Sequence, residues 1–400
     1  VLTRQGWLVG LAAILLLVAG RVLGLLELFG MGVVAAALVV GCFALVHAAR
    51  LELEVGRVLH PTRVHVGTPS RVELAVRNLR GRRTPVLRLR DPVTGTRGAD
   101  LLVPPLAPGE RTVTAYRLPT DRRGIVRVGP LQVVVGDPFG LVQVATGGAP
   151  EVQLTVLPHV DQLTPLPYTS AHDPQAGVRQ LNALGRTGED FYALRPYVVG
   201  DDLRRVHWPT TARTDELMVR QNELPWQGRT TVLLDVRAAT HEGESIEVAV
   251  SAAASVVMAT AGRQDLVRLV TTDGTDSDFA PGSDHVQAIM EHLAVVQPTE
   301  GAPLREAIEG LGRRASGGAL VVVVAGVDAE DLRLLSGLRA RYGSLTIVHL
   351  DRSAWDPRAP VGPAPDGSVL RVTRAAPFAP TWNAHARLAA SGRARVGLPR

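Results

Sequence analysis

Two long apolar runs at the front of the chain constrain its fold more than any other feature. The first, GWLVGLAAILLLVAG, covers residues 6–20, and the second, LFGMGVVAAALVVGCFALVHAA, covers 28–49. A helix crossing the hydrocarbon core of a bilayer needs about 20 apolar residues. The second run meets that length outright. The first meets it if it extends to Leu23 or Leu26, with Arg21 reaching back to the interface. Arg21 and Glu27 lie between the runs, so the pair reads as a helical hairpin over residues 1–50 with a tight turn at 21–29. The rival reading makes residues 1–20 a cleaved signal peptide, but cleavage would still leave one span behind. Arg4 precedes the first run, and Arg50, Arg57 and Arg63 follow the second. Arginine at both outer ends puts those ends, and everything after residue 50, in the cytoplasm. Trp7 suits the interfacial aromatic belt. The expectation is a multi-pass cell-membrane protein with two spans and cytoplasmic soluble domains.

All 43 basic residues are arginine. Without lysine the chain has neither the phosphate-gripping lysine of a P-loop nor a Schiff-base amine. Any ATP-driven work therefore needs a partner. The net charge of +5 is scattered over 400 residues, with no basic stripe of the kind nucleic-acid binders use. No nucleic acid is expected as a partner, and the charge near the hairpin is better matched to the lipid bilayer. Cys42 is the one cysteine. That excludes an internal disulfide and a cysteine-based metal cluster, and a thiol in an apolar run is a poor nucleophile.

Residues 51–157 change character. RVHVG, RVELAVRN, PVLRLRD, RTVTAYRL, GIVRVG, LQVVVGD and EVQLTVL are short Val- and Leu-rich runs, separated by turn chemistry such as GTPS, LRGRRTP and TDRRG. Strands at this spacing predict an all-β, Ig-like antiparallel sandwich. DPFG, residues 137–140, has the composition of a type I turn. Residues 158–228 read as a linker carrying a charged motif. From 229 to 400 strands and helices alternate: strands at 229–236, 265–274, 318–327 and 344–351, helices at 244–262, 284–296, 303–314 and 329–343. That order predicts a doubly wound α/β sheet, whose ligands bind beyond the carboxyl ends of the strands. Asp235 and Asp328 fall at that edge.

The stretch GEDFYALRPYVVGDDLRRVHWPTTAR, residues 188–213, holds four acids, four arginines and four aromatics. Balanced charge suits a network rather than a phosphate or nucleic-acid site. GDDLRR predicts a turn at Gly200 and a short helix, and ELMVRQNE, 216–223, alternates like a strand. One reading is a cross-brace in which Arg195, Arg204 and Arg213 meet Asp190, Asp201 and Glu223 over Phe191, Tyr197 and Trp208. The other is a partner surface.

Gly188, Asp190, Phe191, Arg195, Tyr197, Gly200, Asp201, Arg204, Trp208, Ala212 and Arg213, with RRGIVRVGPLQVVVGDPFGL at 122–141 and the hairpin, resemble the bacterial domain-of-unknown-function-58 family over nearly the whole chain. The resemblance implies a von Willebrand factor A-like C-terminal domain and association with AAA+ ATPases of the MoxR type. Such a domain can hold a divalent ion through Asp-x-Ser-x-Ser, a Thr from a later loop and a further Asp, oxygen ligands that suit a hard cation. Here DVRAA puts Asp235 first but Arg237 and Ala239 at the serine positions, and EGAPL puts Ala302 at the threonine position. An arginine there repels a cation and is placed to pair with Asp235. The expectation is a degenerate cation-site edge at Asp235, Arg237, Ala239, Ala302 and Asp328, with no metal and no cofactor.

His-Glu-x-x-His, Gly-x-Ser-x-Gly and a glycine-rich dinucleotide fingerprint are all missing from the sequence. His207 sits near Asp201 and Asp202 without a nucleophile beside it, and Asp273, Asp276 and Asp278 read as a polar hairpin tip rather than a calcium loop. The sequence therefore predicts no catalytic residue. It favours a non-enzymatic membrane-anchored adaptor that binds a protein partner. A metal-dependent ligand-binding protein with a non-standard cation site and a hydrolase built on His207 remain as alternatives.

Overall fold

The computed structural model describes residues 1–48, 51–166, 191–197, 206–214, 216–222, 228–301, 304–313, 317–359 and 369–396. The chain divides into two compact units, Val1–His159 and Val160–Arg400.

The first unit opens with α1 (Arg4–Leu23) and α2 (Leu26–Ala48), both long and apolar enough to cross a bilayer. Thr3 caps α1, its hydroxyl accepting from the Gly6 N–H at 3.0 Å. The reversal occupies only Gly24 and Leu25, tighter than the 21–29 expected. Leu8, Leu11, Leu15, Val34 and Val40 are all exposed. A surface that apolar is costly in water and suited to lipid.

Ten strands follow. β1 (Leu53–His60), β3 (Arg71–Asn78) and β6 (Arg111–Arg117) form one antiparallel sheet. β5 (Ala99–Val103), β4 (Leu87–Asp91), β8 (Gln132–Gly136) and β9 (Gln143–Gly147) form a second, in that order. In the third, β10 (Val152–Leu157) pairs antiparallel with β7 (Gly124–Val128) but parallel with β2 (Arg63–His65). That parallel pair departs from the purely antiparallel expectation. Leu74, Leu89, Val128, Val133 and Leu154, from all three sheets, share one core. β4 shows why: Leu87, Leu89 and Asp91 are buried, while Arg88 and Arg90 between them face solvent. Arg57, counted from sequence as a membrane-side charge, is instead enclosed against Asp91 at 2.6 Å. The Tyr116 hydroxyl donates to the other Asp91 oxygen at 2.6 Å.

The DPFG turn closes through Gly140 N–H to Asp137 C=O at 3.1 Å, as its residues predict. It also joins the sheet to the hairpin. Leu2 bridges Val142, the Thr3 N–H donates to the Leu141 carbonyl at 2.9 Å, and Val9, Val39, Cys42 and Val46 pack on Leu141 and Val142. Burial opposes ionisation of Asp137, but donation from the Val142 and Phe139 N–H groups outweighs it and holds the carboxyl below its usual range.

In the second unit, β11 (Phe191–Pro196) and β12 (Met218–Asn222) form an antiparallel pair, with α3 (Trp208–Thr214) between them in sequence. The larger sheet contains β13 (Arg229–Leu234), β14 (Leu266–Thr271), β15 (Ala319–Val324), β16 (Ser344–Leu350) and β17 (Val369–Val372), in the order β14-β13-β15-β16-β17 and parallel throughout. Its helices are α4 (Ser245–Ala261), α5 (Ser283–Val295), α6 (Leu304–Arg313), α7 (Ala329–Gly337) and α8 (Phe378–Val396). Val232 to Leu234 and Val321 to Val324 are essentially inaccessible, the unbroken apolar pattern of strands covered on both faces. α7 stops at Gly337, short of the expected 343, and a 3-10 turn follows. β17 and α8 were not foreseen. Residues 160–166, expected to be linker, are fixed to this unit. Ser255 accepts from the Asp161 N–H at 2.9 Å, and the Trp382 indole donates to the Thr164 carbonyl at 3.0 Å.

Candidate functional site

The parallel sheet is laid down from its middle. From β13 the chain crosses through α4 to β14 on one side, then returns through α5 and α6 to β15 on the other. The crevice between the carboxyl ends of β13 and β15 is the topological switch point, where open α/β sheets bind ligands. Asp235 follows β13 directly and is fully buried, its N–H donating to the Val323 carbonyl at 2.9 Å.

Arg237 fills this crevice. Its Nε donates to Asp235 Oδ1 at 2.8 Å and its Nη2 to Oδ2 at 2.9 Å, a two-pronged fork. The same Nη2 donates to the Gly326 carbonyl at 2.7 Å, which ties the β13 edge to the β15 edge. The Arg237 N–H is a second donor to Oδ1, at 3.1 Å, and Thr240 Oγ1 donates to Oδ2 at 3.2 Å. His241 Nε2 lies 2.8 Å from the Asp235 carbonyl. Burial works against the Arg237 charge, but the hydrogen bonds and charge of Asp235, with Asp331 and Asp328 adding, raise its pKa further. A cation seeking Asp235 must first displace a paired guanidinium. The neighbouring cavity, about 490 Å³, is lined by Thr271, Thr272 and Asp276 but not by Asp235 or Arg237.

The other residues of this edge are less engaged. Ala239 sits exposed in a 3-10 turn, and its side chain offers no ligand atom. Asp328 is exposed and caps α7, its Oδ1 accepting from the Asp331 N–H at 2.7 Å. Burial and the Asp328 charge raise the Asp331 carboxyl above its usual range. Ala302 lies outside the described residues. Among the described residues no three His, Cys, Asp or Glu side chains converge to hold an ion. Thr240, His241, Thr272 and Gly326 belong to this site and escaped the sequence reading. Their only signal is tertiary, since Thr272 reaches Asp235 and Gly326 reaches Arg237 from different strand ends.

The charged motif divides differently. Asp190, Gly200, Asp201, Arg204 and Glu223 lie outside the described residues. Phe191 and Arg195 belong to β11, paired with Asn222 and Val219 of β12. Tyr197 is half-buried, and its N–H donates to the Leu217 carbonyl at 2.7 Å. Trp208 is 65% exposed and Arg213 is exposed. Neither therefore packs or pairs in the interior, which corrects the cross-brace reading at these two residues. Short polar contacts hold α3 to β12 instead: the His207 N–H donates to the Met218 carbonyl at 2.7 Å, and the Met218 N–H to Thr211 Oγ1 at 3.0 Å. His207 Nδ1 lies 2.9 Å from Thr210 Oγ1, a contact within the first turn of α3.

Asp273, Asp276 and Asp278 form a polar turn. The Thr271 N–H donates to the Thr275 carbonyl at 2.9 Å, Asp276 accepts from Arg268 Nε at 2.7 Å, and Asp273 accepts from the Thr275 N–H at 3.0 Å.

The model of a protein family described as "Protein of unknown function DUF58" matches residues 193–353. The matched segment runs from within β11 to just past β16, and over these residues it supports the resemblance; the hairpin, residues 122–141 and Gly188, Asp190 and Phe191 lie outside it. No curated protein matches the chain. Among solved structures, the CARDB domain of a Pyrococcus furiosus protein, crystallised in complex with di-metal ions, is 22% identical. It covers 27% of this chain and 94% of its own, at a TM-score of 0.22. The alkylpurine DNA glycosylase AlkC of Pseudomonas fluorescens is 8% identical over 33% of this chain and 39% of its own, at 0.20. A β-glucosidase from Erythrobacter marinus is 18% identical over 27% and 16%, at 0.18. At these TM-scores the likenesses bear on neither fold nor function here.

Proposed function

We propose that the chain is a non-enzymatic, membrane-anchored adaptor. Its C-terminal α/β unit is read as von Willebrand factor A-like and binds a protein partner, by family resemblance an AAA+ ATPase of the MoxR type. The soluble units lie on the cytoplasmic side, as the arginines flanking the hairpin suggest. One observation carries the reading. The position where such a sheet presents a ligand site is closed by Arg237, forked onto Asp235 and bonded to Gly326. An edge spent on internal hydrogen bonds supports gripping another polypeptide more than holding an ion or a small molecule. Trp208 and Arg213, exposed on α3, are of the residue types that dominate protein interfaces.

The test is affinity purification of the full chain from membranes in mild detergent, with ATP or ADP present. Recovery of an AAA+ ATPase in a nucleotide-dependent amount is the expected result. Absence of any ATPase under both nucleotides sinks the proposal.

A further inference from the structure

We propose that the cavity at the base of the hairpin receives the headgroup of an anionic phospholipid. The proposal rests on α1 and α2 lying in a bilayer. The cavity, about 290 Å³, is lined by Leu45 and Ala48 of the last turn of α2 together with Arg80, Arg82, Arg83 and Glu52. Three arginines against one glutamate make the lining net positive. The lining thus combines apolar residues of a membrane-spanning helix with cationic ones. Those are the two chemistries that complement a phospholipid.

The arginine loop is held in place before any lipid arrives. Asn78 is 1% exposed, and its Nδ2 donates to the carbonyls of Arg82 at 2.8 Å, Ala107 at 3.1 Å and Leu106 at 3.2 Å. Its Oδ1 accepts from the Arg80 N–H at 3.0 Å. Thr84 is tied to Leu106 in both directions, at 3.0 and 2.9 Å. A loop fixed this way needs no backbone ordering on binding. Depth agrees as well. Trp7 and Phe139, 66% and 63% exposed, sit at the same end of the hairpin, where interfacial aromatics belong. On α2 itself, Cys42 and Val46 are buried against Leu141 and Val142 while Leu45 is 57% exposed, so the cavity side of the helix is open to lipid.

A free phosphate shares the headgroup's chemistry, but the apolar part of the lining favours the lipid. The full chain is reconstituted into nanodiscs of phosphatidylcholine with a minor share of phosphatidylglycerol, released, and examined by native mass spectrometry. Retained phosphatidylglycerol, enriched over its share in the disc, is expected. Arg82→Glu/Arg83→Glu should reduce retention about tenfold with unchanged thermal melting, as for loss of two phosphate contacts. Arg117→Glu/Arg122→Glu, the same charge change at two residues that do not line the cavity, should leave it intact. Equal retention in both double variants overturns the proposal, as does equal retention of phosphatidylcholine. Inorganic phosphate binding as tightly in lipid-free detergent overturns the lipid assignment. A chain that never enters nanodiscs overturns the hairpin reading together with this one, whereas a chain that enters without lipid preference overturns this one alone.

Discussion

Arg237 shows how one side chain can redefine a sheet edge. From sequence its position already argued for pairing with Asp235. The carbonyl of Gly326 as third partner was not legible, because nothing in the spacing of 237 and 326 says that β13 and β15 are neighbours. Asp235 is fully buried, so Arg237→Ala strands its carboxylate and should cost about 3 kcal/mol, the lower end for a broken buried pair because the guanidinium is partly exposed. Thermal melting of residues 160–400 measures this, and Asp235→Ala/Arg237→Ala should recover most of the loss. Calorimetry with Mg²⁺ or Mn²⁺ should give no binding heat in the unaltered chain. Micromolar binding abolished by Asp235→Ala would reverse that assignment. His349 supplies a pH test. It is 4% exposed on β16, and burial depresses its pKa, opposed by the Asp351 charge and reinforced by Arg371. The unfolded chain, with a histidine pKa of about 6.5, then binds the proton first. Stability is full above that pH and declines as pH falls toward the folded value. His349→Leu should flatten the decline in melting temperature between about pH 7 and 5, and an unchanged slope would rule His349 out as its source.

At the scale of elements, continuous apolar runs and clean alternation made β13, β15 and β4 legible, along with both long helices. What failed was position-dependent. β17 is four residues long and α8 is rich in Ala and Arg with few large apolar side chains, so neither gives a strong period. β1 alternates in burial along its whole length, but Arg57 lies on its inward face and Val58 on its outward one, so its sequence pattern went unread. The parallel pairing of β2 with β10 joins segments some ninety residues apart, and no local pattern encodes it. The hairpin shows a constraint that sequence hides. Gly32 packs against α1 so closely that an added Cβ would lie 2.8 Å from Leu17 and 3.1 Å from the Ala13 carbonyl, whereas one at Gly10 meets nothing within 4 Å. Small residues let spanning helices approach in this way. Gly32→Leu should lower the melting temperature in detergent and speed proteolysis of the hairpin, and Gly10→Leu should do neither. Similar behaviour of the two variants would show that the helices do not pack as described.

The whole molecule consists of two units with separate cores, and this fixes which parts answer which question. The hairpin and the β-rich unit share residues 1–159, joined through Leu2, Thr3 and the 137–142 turn. Residues 160–400 carry the α/β sheet, the exposed Trp208 and the segment that matches the family model. Because residues 160–166 hydrogen-bond to Ser255, Trp382 and Asn383, a fragment should start at 160 rather than at the first strand. Expressed alone, it should be monodisperse without detergent and melt cooperatively, since its core contains no residue of the hairpin. If partner binding resides here, this fragment should capture the same ATPase as the full chain. Trp208→Ala should then weaken capture at least tenfold, the loss typical of an interfacial tryptophan, with no change in melting because that side chain is already in solvent. Capture retained by the variant would move the contact away from α3. Capture lost by the unaltered fragment, yet present in the full chain, would assign the partner surface to residues 1–159.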